Sequence, residues 1–452
     1  MNSRKYFGTD GIRARAGENP LNPETLVKIG RAIAHIFTGD GKKHKILIAK
    51  DTRLSGYMIE SALAAGITSQ GVNVQLSGPI PTPAAAYLTK SMRADAGIMI
   101  SASHNPFEDN GIKIFAADGN KLADEKELEI ENIIDNQEKI LVSTPQSIGK
   151  AYRIDDAKGR YIVYLKSCFP RELTLEGLKI GFDCANGAGY LVGPQTCEEL
   201  GADVISRGVS PNGRNINSGF GSLYPEIVSK LVKENNLDIG IALDGDADRA
   251  LFVDEKGNLI DGDMTLAICA IDLKERGLLK SGKIVATLMS NLGLEKFLKP
   301  YDIEVIRAPV GDRYVLEEMD KVNAELGGEQ SGHTIFREYA TTGDGVLTAL
   351  MLMAIMKRSG KSLSELTANY IKFPQKLVNV QVREKVEFDT IPEIKKVIGE
   401  TEKNLEGNGR LVVRYSGTEN KARVMVECED EKLCQKYANA VAKEIEAAIG
   451  TV

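Results

Sequence analysis

Short apolar runs alternate with amphipathic stretches along most of the chain. Lys45–Asp51 (KILIAKD) reads as a strand, Tyr57–Gln70 as a helix and Val72–Leu76 as a strand again. Gly97–Ser101 and Gly111–Ala116 are two more short runs that bracket a polar loop, and Asp124–Lys139 spaces Leu and Ile among charges as a helix with a solvated face does. The pattern recurs with strands at Leu178–Cys184, Asp203–Ser206 and Leu237–Leu243 and helices at Pro194–Leu200 and Pro225–Asn235. It recurs a third time through the helix Met264–Arg276, the strands Lys283–Leu288 and Ile303–Arg307, the run Val315–Val322 and the helix Gly345–Arg358. Continuous apolar strands alternating with helices predict parallel sheets covered on both faces, an α/β architecture of three similar doubly wound units. The tail differs: strand Leu377–Val382, helix Ile391–Leu405, strands Arg410–Arg414 and Ala422–Cys428, and helix Glu431–Ile449 predict a small α+β domain with an antiparallel sheet. The expected domains are 1–152, 153–252, 253–371 and 372–452. That is one more than a length of 452 residues suggests, at roughly 150 residues per domain.

Composition narrows the class. Hydrophobic residues at 42% and charged residues at 27% are those of a globular protein with real cores. The net charge of −6 argues against a general nucleic-acid binder. The start, MNSRKYFGTDGIRARAG, has no signal-peptide core, and the apolar stretch Val346–Met356 is too short to span a bilayer, so neither a membrane nor export is expected. The cysteines Cys168, Cys184, Cys197, Cys269, Cys428 and Cys434 are scattered without a C-x-x-C pair. They read as reduced, mostly buried thiols of a cytoplasmic protein.

Four loops hold the chemistry. DGDADR (Asp244–Arg249) follows an apolar strand, and its three aspartates recur at every second residue, a spacing that in extended chain turns them to one side. Asp244, Asp246 and Asp248 so placed repel one another unless a hard divalent cation, Mg²⁺ by oxygen preference, lies between them; Arg249 adds a fork for a phosphate. A solvated acidic turn is the plainer alternative. SASHNPFEDNG (Ser101–Gly111) places Ser103 beside His104 and before Lys113. Ser103 could simply cap a turn; no other nucleophile arrangement is visible, and a serine can carry a phosphoryl group beside a metal. In RYSGTEN (Arg414–Asn420), Arg414, Ser416, Thr418 and the amides around Gly417 could surround a phosphate, or form an ordinary hairpin. In GGEQSGH (Gly327–His333), Glu329, Ser331 and His333 project from a backbone of little bulk, suited to reading sugar hydroxyls and moving a proton. NGAGYLVG (Asn186–Gly193) looks like a dinucleotide fingerprint, but Val192 stands where the third glycine belongs.

Together with FGTDGIR (Phe7–Arg13), these loops resemble the α-D-phosphohexomutase superfamily, and within it the phosphoglucosamine mutase branch, over essentially the whole chain. Gln330, TTGDG (Thr341–Gly345) and VGDRYV (Val310–Val315) look like that branch, while Ala247 and Asn420 depart from its usual Gly and Pro. The resemblance implies a heart-shaped, four-domain enzyme with one loop per domain at a central cleft. It implies Ser103 as phosphoserine and Asp244, Asp246 and Asp248 as Mg²⁺ ligands, with the Ser103 phosphate as the fourth. Arg13, Lys113 and Arg249 would lie near the reacting phosphate, Glu329 and Ser331 would read the sugar and His333 would shuttle a proton. Arg414, Ser416, Gly417 and Thr418 would hold the phosphate that does not react. The implied reaction interconverts glucosamine 6-phosphate and glucosamine 1-phosphate through a sugar 1,6-bisphosphate, which also serves as activator. The alternatives are a phosphoglucomutase/phosphomannomutase, a sugar-phosphate phosphatase or a non-catalytic sensor. The expected partner is a small hexosamine phosphate, with a homodimer left open.

Overall fold

The computed structural model describes residues 4–8, 10–38, 42–137, 140, 143–416 and 420–451. It divides into two compact units, Met1–Thr287 with Ile306–Ala368, and Leu288–Val305 with Asn369–Val452.

In the larger unit the first sheet has seven strands. Its parallel core is formed by Ala96–Ile100, Lys45–Lys50, Asn73–Pro79 and Ala151–Arg153, paired in that order. Asp109–Ala116 runs antiparallel to Ala96–Ile100, and Gly11–Arg15 antiparallel to Asp109–Ala116. The second sheet pairs Lys179–Asp183 with Asp203–Arg207 and with Ile239–Leu243 in parallel, then adds Ala250–Asp254 antiparallel to Ile239–Leu243. In the third, Lys283–Thr287 lies parallel to Leu326–Gly328, which pairs antiparallel with Thr334–Phe336.

The all-parallel expectation is therefore corrected to mixed sheets, and chain length explains why. A parallel return needs a crossover of about a dozen residues. Each of these sheets turns antiparallel where a short chemistry-bearing loop lies: 101–108, 244–249 and 329–333. Each of the three loops sits at the tip of a hairpin, fixed at both ends by paired backbone.

Burial follows the apolar pattern. Ile46, Ile48, Ile98, Ile100, Ile112 and Ile114 are all buried in one core with the inner faces of the flanking helices. Helix Pro23–His35, absent from the sequence reading, carries a plain signal: Asn22 caps it with its side chain on the Thr25 N–H, Pro23 opens it, and Leu26, Ile29 and Ile33 are buried. Val315–Val322 belongs to the helix Asp312–Val322, and the helix begun at Asp124 runs to Asp135; Lys139 lies outside the described residues.

The smaller unit contains the expected α+β element: Gln375–Gln381, Lys421–Cys428 and Gly409–Tyr415 form an antiparallel sheet with Lys421–Cys428 in the centre. The helices Pro392–Leu405 and Glu431–Ile449 contribute Ile394, Val441 and Ile445 to its core. Leu288–Val305 belongs here because the Asn291 side chain takes the Phe373 N–H and returns a bond to the Phe373 carbonyl, both at 2.9 Å. One expectation about cysteine is corrected in this unit. Cys428 and Cys434 are joined as a disulfide at the corner between strand and helix, Cα–Cα 5.8 Å, whereas Cys168, Cys184, Cys197 and Cys269 are free and buried. The turn after Cys428 folds the helix back over its own strand, which sequence spacing does not reveal.

Candidate active site

Ser103 stands in the loop that leaves strand Ala96–Ile100, with a left-handed backbone (φ 52°). Few residues other than glycine adopt that conformation without local support. Here the Ser103 N–H donates to Ser101 Oγ at 2.9 Å, and Ser101 Oγ donates in turn to the buried Asp51 at 2.7 Å. The Ser103 hydroxyl then donates to Asp244 Oδ2 at 2.6 Å. The side chain so aimed reaches directly into the three-aspartate group.

Asp244, Asp246 and Asp248 are buried, and each offers an oxygen such that the three lie within 4.8 Å of one another. Ala247 in the left-handed region (φ 57°) turns the DGDADR tip, so a hairpin turn rather than an extended run gathers the carboxylates. Gly245 is required there, because a Cβ on it would meet the Ser103 carbonyl oxygen at 2.5 Å. Asp246 Oδ1 and Asp248 Oδ1 are buried without a hydrogen-bond partner. Buried carboxylate oxygens left so are expensive, and together with the all-oxygen donor set they fit a hard divalent cation.

Cations surround the acids. Lys113 Nζ, buried, lies 3.1 Å from Asp246, 3.3 Å from Asp248 and 3.3 Å from Asp10. Burial opposes its charge, but Asp10, Asp246 and Asp248 hold its pKa well above the usual lysine value. Asp248 is driven up by burial, yet Lys113, His333 and Arg249 more than offset this and keep it ionised. Asp244 goes the other way: burial and then the charges of Asp248 and Asp246 raise it well above the ordinary carboxylate range. Asp244 and Asp248 are thus pushed in opposite directions within one cluster. Arg13 pairs with Asp10, and Arg249 reaches Glu329 at 3.9 Å.

The third loop meets the second through backbone. Arg249 and His333 form an antiparallel bridge, and the Ala250 N–H donates to the Gly332 carbonyl at 3.1 Å. Glu329 accepts from Ser331 Oγ at 2.9 Å and from the Gly311 N–H at 3.2 Å. His333 Nε2 accepts the Gly343 N–H at 2.9 Å, which leaves Nδ1 toward Asp248 at 3.8 Å. Gln330 turns its amide to Asp263 at 3.1 Å. A cavity of about 340 Å³ opens beside these groups, lined by Lys121, Asp312, Arg313, His333, Ile335 and Thr342.

The larger unit therefore brings together Arg13, Ser103, Lys113, Asp244, Asp246, Asp248, Arg249, Glu329, Ser331 and His333. The sequence reading missed the residues that join them. Thr82 Oγ1 donates to Asp246 at 2.6 Å. Lys121 bridges Asp10 at 2.6 Å and Asp312 at 2.5 Å, and Asp312 lies 4.0 Å from His333. Asp10 and Asp312 stand inside FGTDGIR and VGDRYV, so the signal was present, whereas Thr82 and Lys121 have none in sequence. NGAGYLVG proves to be packing: the Ala188 N–H donates to the Gly245 carbonyl at 2.8 Å, and a Cβ on Gly187 would strike that same oxygen.

In the smaller unit Arg414 and Arg423 stand directly opposite on neighbouring strands. Arg423 reaches Ser416 Oγ at 3.5 Å, and Lys385 donates to the Ser416 carbonyl at 2.7 Å. Burial first, and then the like charge of Arg423, lowers the Arg414 pKa. Arg423 and Lys385 were not foreseen. Gly417 and Thr418 lie outside the described residues.

Comparison with known proteins agrees along the whole chain. The phosphoglucomutase/phosphomannomutase family matches in all four of its domains: alpha/beta/alpha domain I at residues 4–141, domain II at 159–257, domain III at 261–373 and the C-terminal domain at 377–444. A phosphoglucosamine mutase of Geobacter sp. (strain M21) is 56% identical over 99% of both chains, and one of Myxococcus xanthus is 52% identical over 99% of this chain and 98% of that one. The chain belongs to the phosphoglucosamine mutases, within the α-D-phosphohexomutase superfamily. Its four-domain fold is also that of more distant structures. A phosphoglucomutase/phosphomannomutase family protein of Burkholderia thailandensis aligns with TM-score 0.80 at 21% identity, covering 98% of this chain and 99% of that one. An N-acetylphosphoglucosamine mutase of Aspergillus fumigatus, solved with GlcNAc-6P and magnesium, aligns with TM-score 0.65 at 18% identity, covering 98% and 96%. Among the described residues no helix is long and apolar enough to cross a membrane.

Proposed function

We propose that this chain is a cytoplasmic enzyme that interconverts glucosamine 6-phosphate and glucosamine 1-phosphate by way of phospho-Ser103 and a 1,6-bisphosphate. The observation that carries the reading is the Ser103 hydroxyl 2.6 Å from Asp244 within the three-aspartate group, and the full-length relatives named phosphoglucosamine mutase support it. The C1 oxygen of the sugar attacks the phosphorus of phospho-Ser103. The bond from phosphorus to Oγ breaks, the proton of the C1 hydroxyl passes to His333, and the bisphosphate forms. After reorientation Ser103 Oγ attacks the C6 phosphorus, the bond from phosphorus to the C6 oxygen breaks, and the proton held on His333 passes to that oxygen, leaving glucosamine 1-phosphate and the phosphoserine restored.

Such a transfer is mostly positioning and charge compensation. Lys113, Arg13 and Arg249 are the cations that meet the reacting phosphoryl group, whose charge is about −1.5 to −2. Glu329 and Ser331, fixed on each other at 2.9 Å, orient the sugar hydroxyls. Arg414 and Ser416, with Gly417 and Thr418, take the phosphate that is not reacting. Asp244, Asp246, Asp248 and the Ser103 phosphate are the residues that would hold Mg²⁺, which when bound supplies charge neutralisation for the phosphoryl in flight. The four domains take the limits 1–152, 153–252, 253–371 and 372–452, close to the matched family segments.

The test is turnover of glucosamine 6-phosphate with Mg²⁺ and a trace of glucose 1,6-bisphosphate, with the intact mass of the protein read alongside. Glucosamine 1-phosphate and one phosphoryl group per chain are expected. Steady release of inorganic phosphate alone would make it a phosphatase, and turnover of glucose or mannose phosphates without glucosamine phosphate would move it to a sibling mutase.

A further inference from the structure

Arg53 is fully buried, a costly place for a guanidinium. One buried acid, Asp51, pairs with it, and the rest of the fork is spent on the backbone of the Ser103 loop. Its Nε donates to Asp51 at 2.8 Å. Nη2 donates to the carbonyls of Ser103 at 2.9 Å and Asn105 at 2.8 Å. Nη1 donates to the carbonyl of Asp109 at 3.1 Å and also to that of Pro106. The donors of one planar fork are thus spread around a single turn, a geometry that lysine cannot reproduce.

A second donor comes from the loop between strand Asp203–Arg207 and helix Pro225–Asn235. Asn217 Nδ2 donates to the same two carbonyls, Ser103 at 2.9 Å and Asn105 at 3.0 Å. Asn217 is buried, has left-handed backbone (φ 60°), and its own N–H is held by the Ala185 carbonyl at 2.8 Å. The Ser103 carbonyl therefore has Arg53 on one side, Asn217 on another and Gly245 pressed against it.

We propose that Arg53 and Asn217 form a positioning clamp that holds Ser103 in its left-handed conformation and so keeps the phosphoryl-carrying oxygen aimed at Asp244. The clamp acts through the loop carbonyls and, by way of Asp51, through Ser101 beneath the Ser103 N–H; it is a positioning device for the loop. Its two arms come from the connections of different sheets within the larger unit, so it locks the first hairpin tip to the loops of the second sheet while the phosphoryl group moves between serine and sugar. A misplacement of about 1 Å in such a site costs on the order of a hundredfold in rate.

The proposal rests on the phosphoserine reading, and the experiment separates the two. Asn217→Gly removes the amide donors yet tolerates the positive φ, and Arg53→Lys keeps the charge but not the fork. The full chain is charged on Ser103 with glucose 1,6-bisphosphate. Transfer to glucosamine 6-phosphate is then followed in a single turnover, beside hydrogen exchange at the amides of Ser103, Asn105 and Asp109. In Asn217→Gly we expect transfer to slow by roughly ten- to a hundredfold, KM to change less than about threefold, and exchange at those three amides to accelerate. If Arg53→Lys fails to fold, Asn217→Gly decides alone. Faster exchange with unchanged transfer would reduce the clamp to a folding element and overturn the proposal, as would slower transfer without faster exchange, or no change in either. A wild-type chain that transfers nothing would fail the phosphoserine reading, and the exchange arm would still judge whether these two residues hold the loop.

Discussion

Around Ser103 nearly every charge sits beside one of opposite sign, whereas on the described strands leading to Ser416 two arginines stand directly opposite each other. Asp10 lies between Lys113 and Lys121, Lys113 between Asp10 and the metal-loop acids, and Lys121 between Asp10 and Asp312. In the smaller unit Arg414 faces Arg423 across the sheet, and the pKa of Arg414 is lowered by burial and by that neighbour. The first region is balanced before any ligand arrives and needs one more cation only between its aspartates. In the second, Arg414 and Arg423 repel each other across the strand pair, a repulsion that a bound anion would relieve. A site that must hold a carrier in one geometry through every turnover gains from balance. On the proposed reading, the one that grips and releases either end of a bisphosphate gains from opposed cations whose repulsion a bound anion relieves.

Removing the carrier is the harshest way to break this contrast. Ser103→Ala should lower turnover on the order of 10⁴-fold or more, the scale on which loss of a covalent nucleophile is felt. The fold should remain, since the backbone bond from the Ser103 N–H to Ser101 and the carbonyl bonds from Arg53 and Asn217 do not use the hydroxyl. Steady-state turnover beside a thermal melt checks it, and full activity would exclude a serine carrier.

The balance itself is tested by Lys113→Met. Removing one partner of a buried ion cluster costs about 3–5 kcal/mol, here because Asp10, Asp246 and Asp248 lose their shared cation. Urea unfolding should show that loss in EDTA and a visibly smaller one in Mg²⁺, since a cation among the aspartates replaces part of the missing charge. Equal losses with and without Mg²⁺ would mean that the aspartates do not hold the ion.

How far these regions could be read from the chain differs for the same physical reason. Alternation of apolar runs and helical spacing located most elements, and the carriers of chemistry announced themselves as dense polar loops between them. Strand direction was lost, because it is set by whether a loop is long enough to cross over, as at 244–249, and not by the strands' own residues. Partners were lost wherever they are single side chains inside ordinary elements. Thr82 opens an alanine-rich helix and Lys121 is bridged to Phe115 just past a turn, and only the fold brings them to Asp246 and Asp312. Arg423 was hidden in a strand, although its register opposite Arg414 follows once the hairpin is drawn.

Arg414→Ala sharpens the comparison from the other side. A hydrogen-bonded charge on phosphate is worth about 1.5–3 kcal/mol, so sugar-phosphate affinity should fall roughly tenfold to a hundredfold. Mg²⁺ affinity should stay as it was, because no aspartate of the metal loop belongs to that unit. Isothermal titration with each ligand separates the two, and parallel losses would show the phosphate loop to be misassigned.

The smallest expected effect carries the most specific sign. Like charges directly opposite on an antiparallel pair destabilise it by a few tenths to about 1 kcal/mol, so Arg423→Gln should make the ligand-free chain slightly more stable. The same substitution removes a cation beside Ser416 and should weaken sugar-phosphate binding by a few-fold. Gain in stability with loss in affinity would show that repulsion from Arg414 outweighs the other contacts of Arg423, and it is opposite to Lys113→Met, where removing a cation costs stability. Raising the salt concentration gives an independent reading. Screening weakens half-exposed repulsion far more than a buried network, so the stabilisation by Arg423→Gln should shrink with added salt while the Lys113→Met deficit in EDTA persists. If Arg423→Gln destabilises the chain at low salt, that arginine has a structural partner that matters more than its neighbour's repulsion, and the two regions are built alike after all.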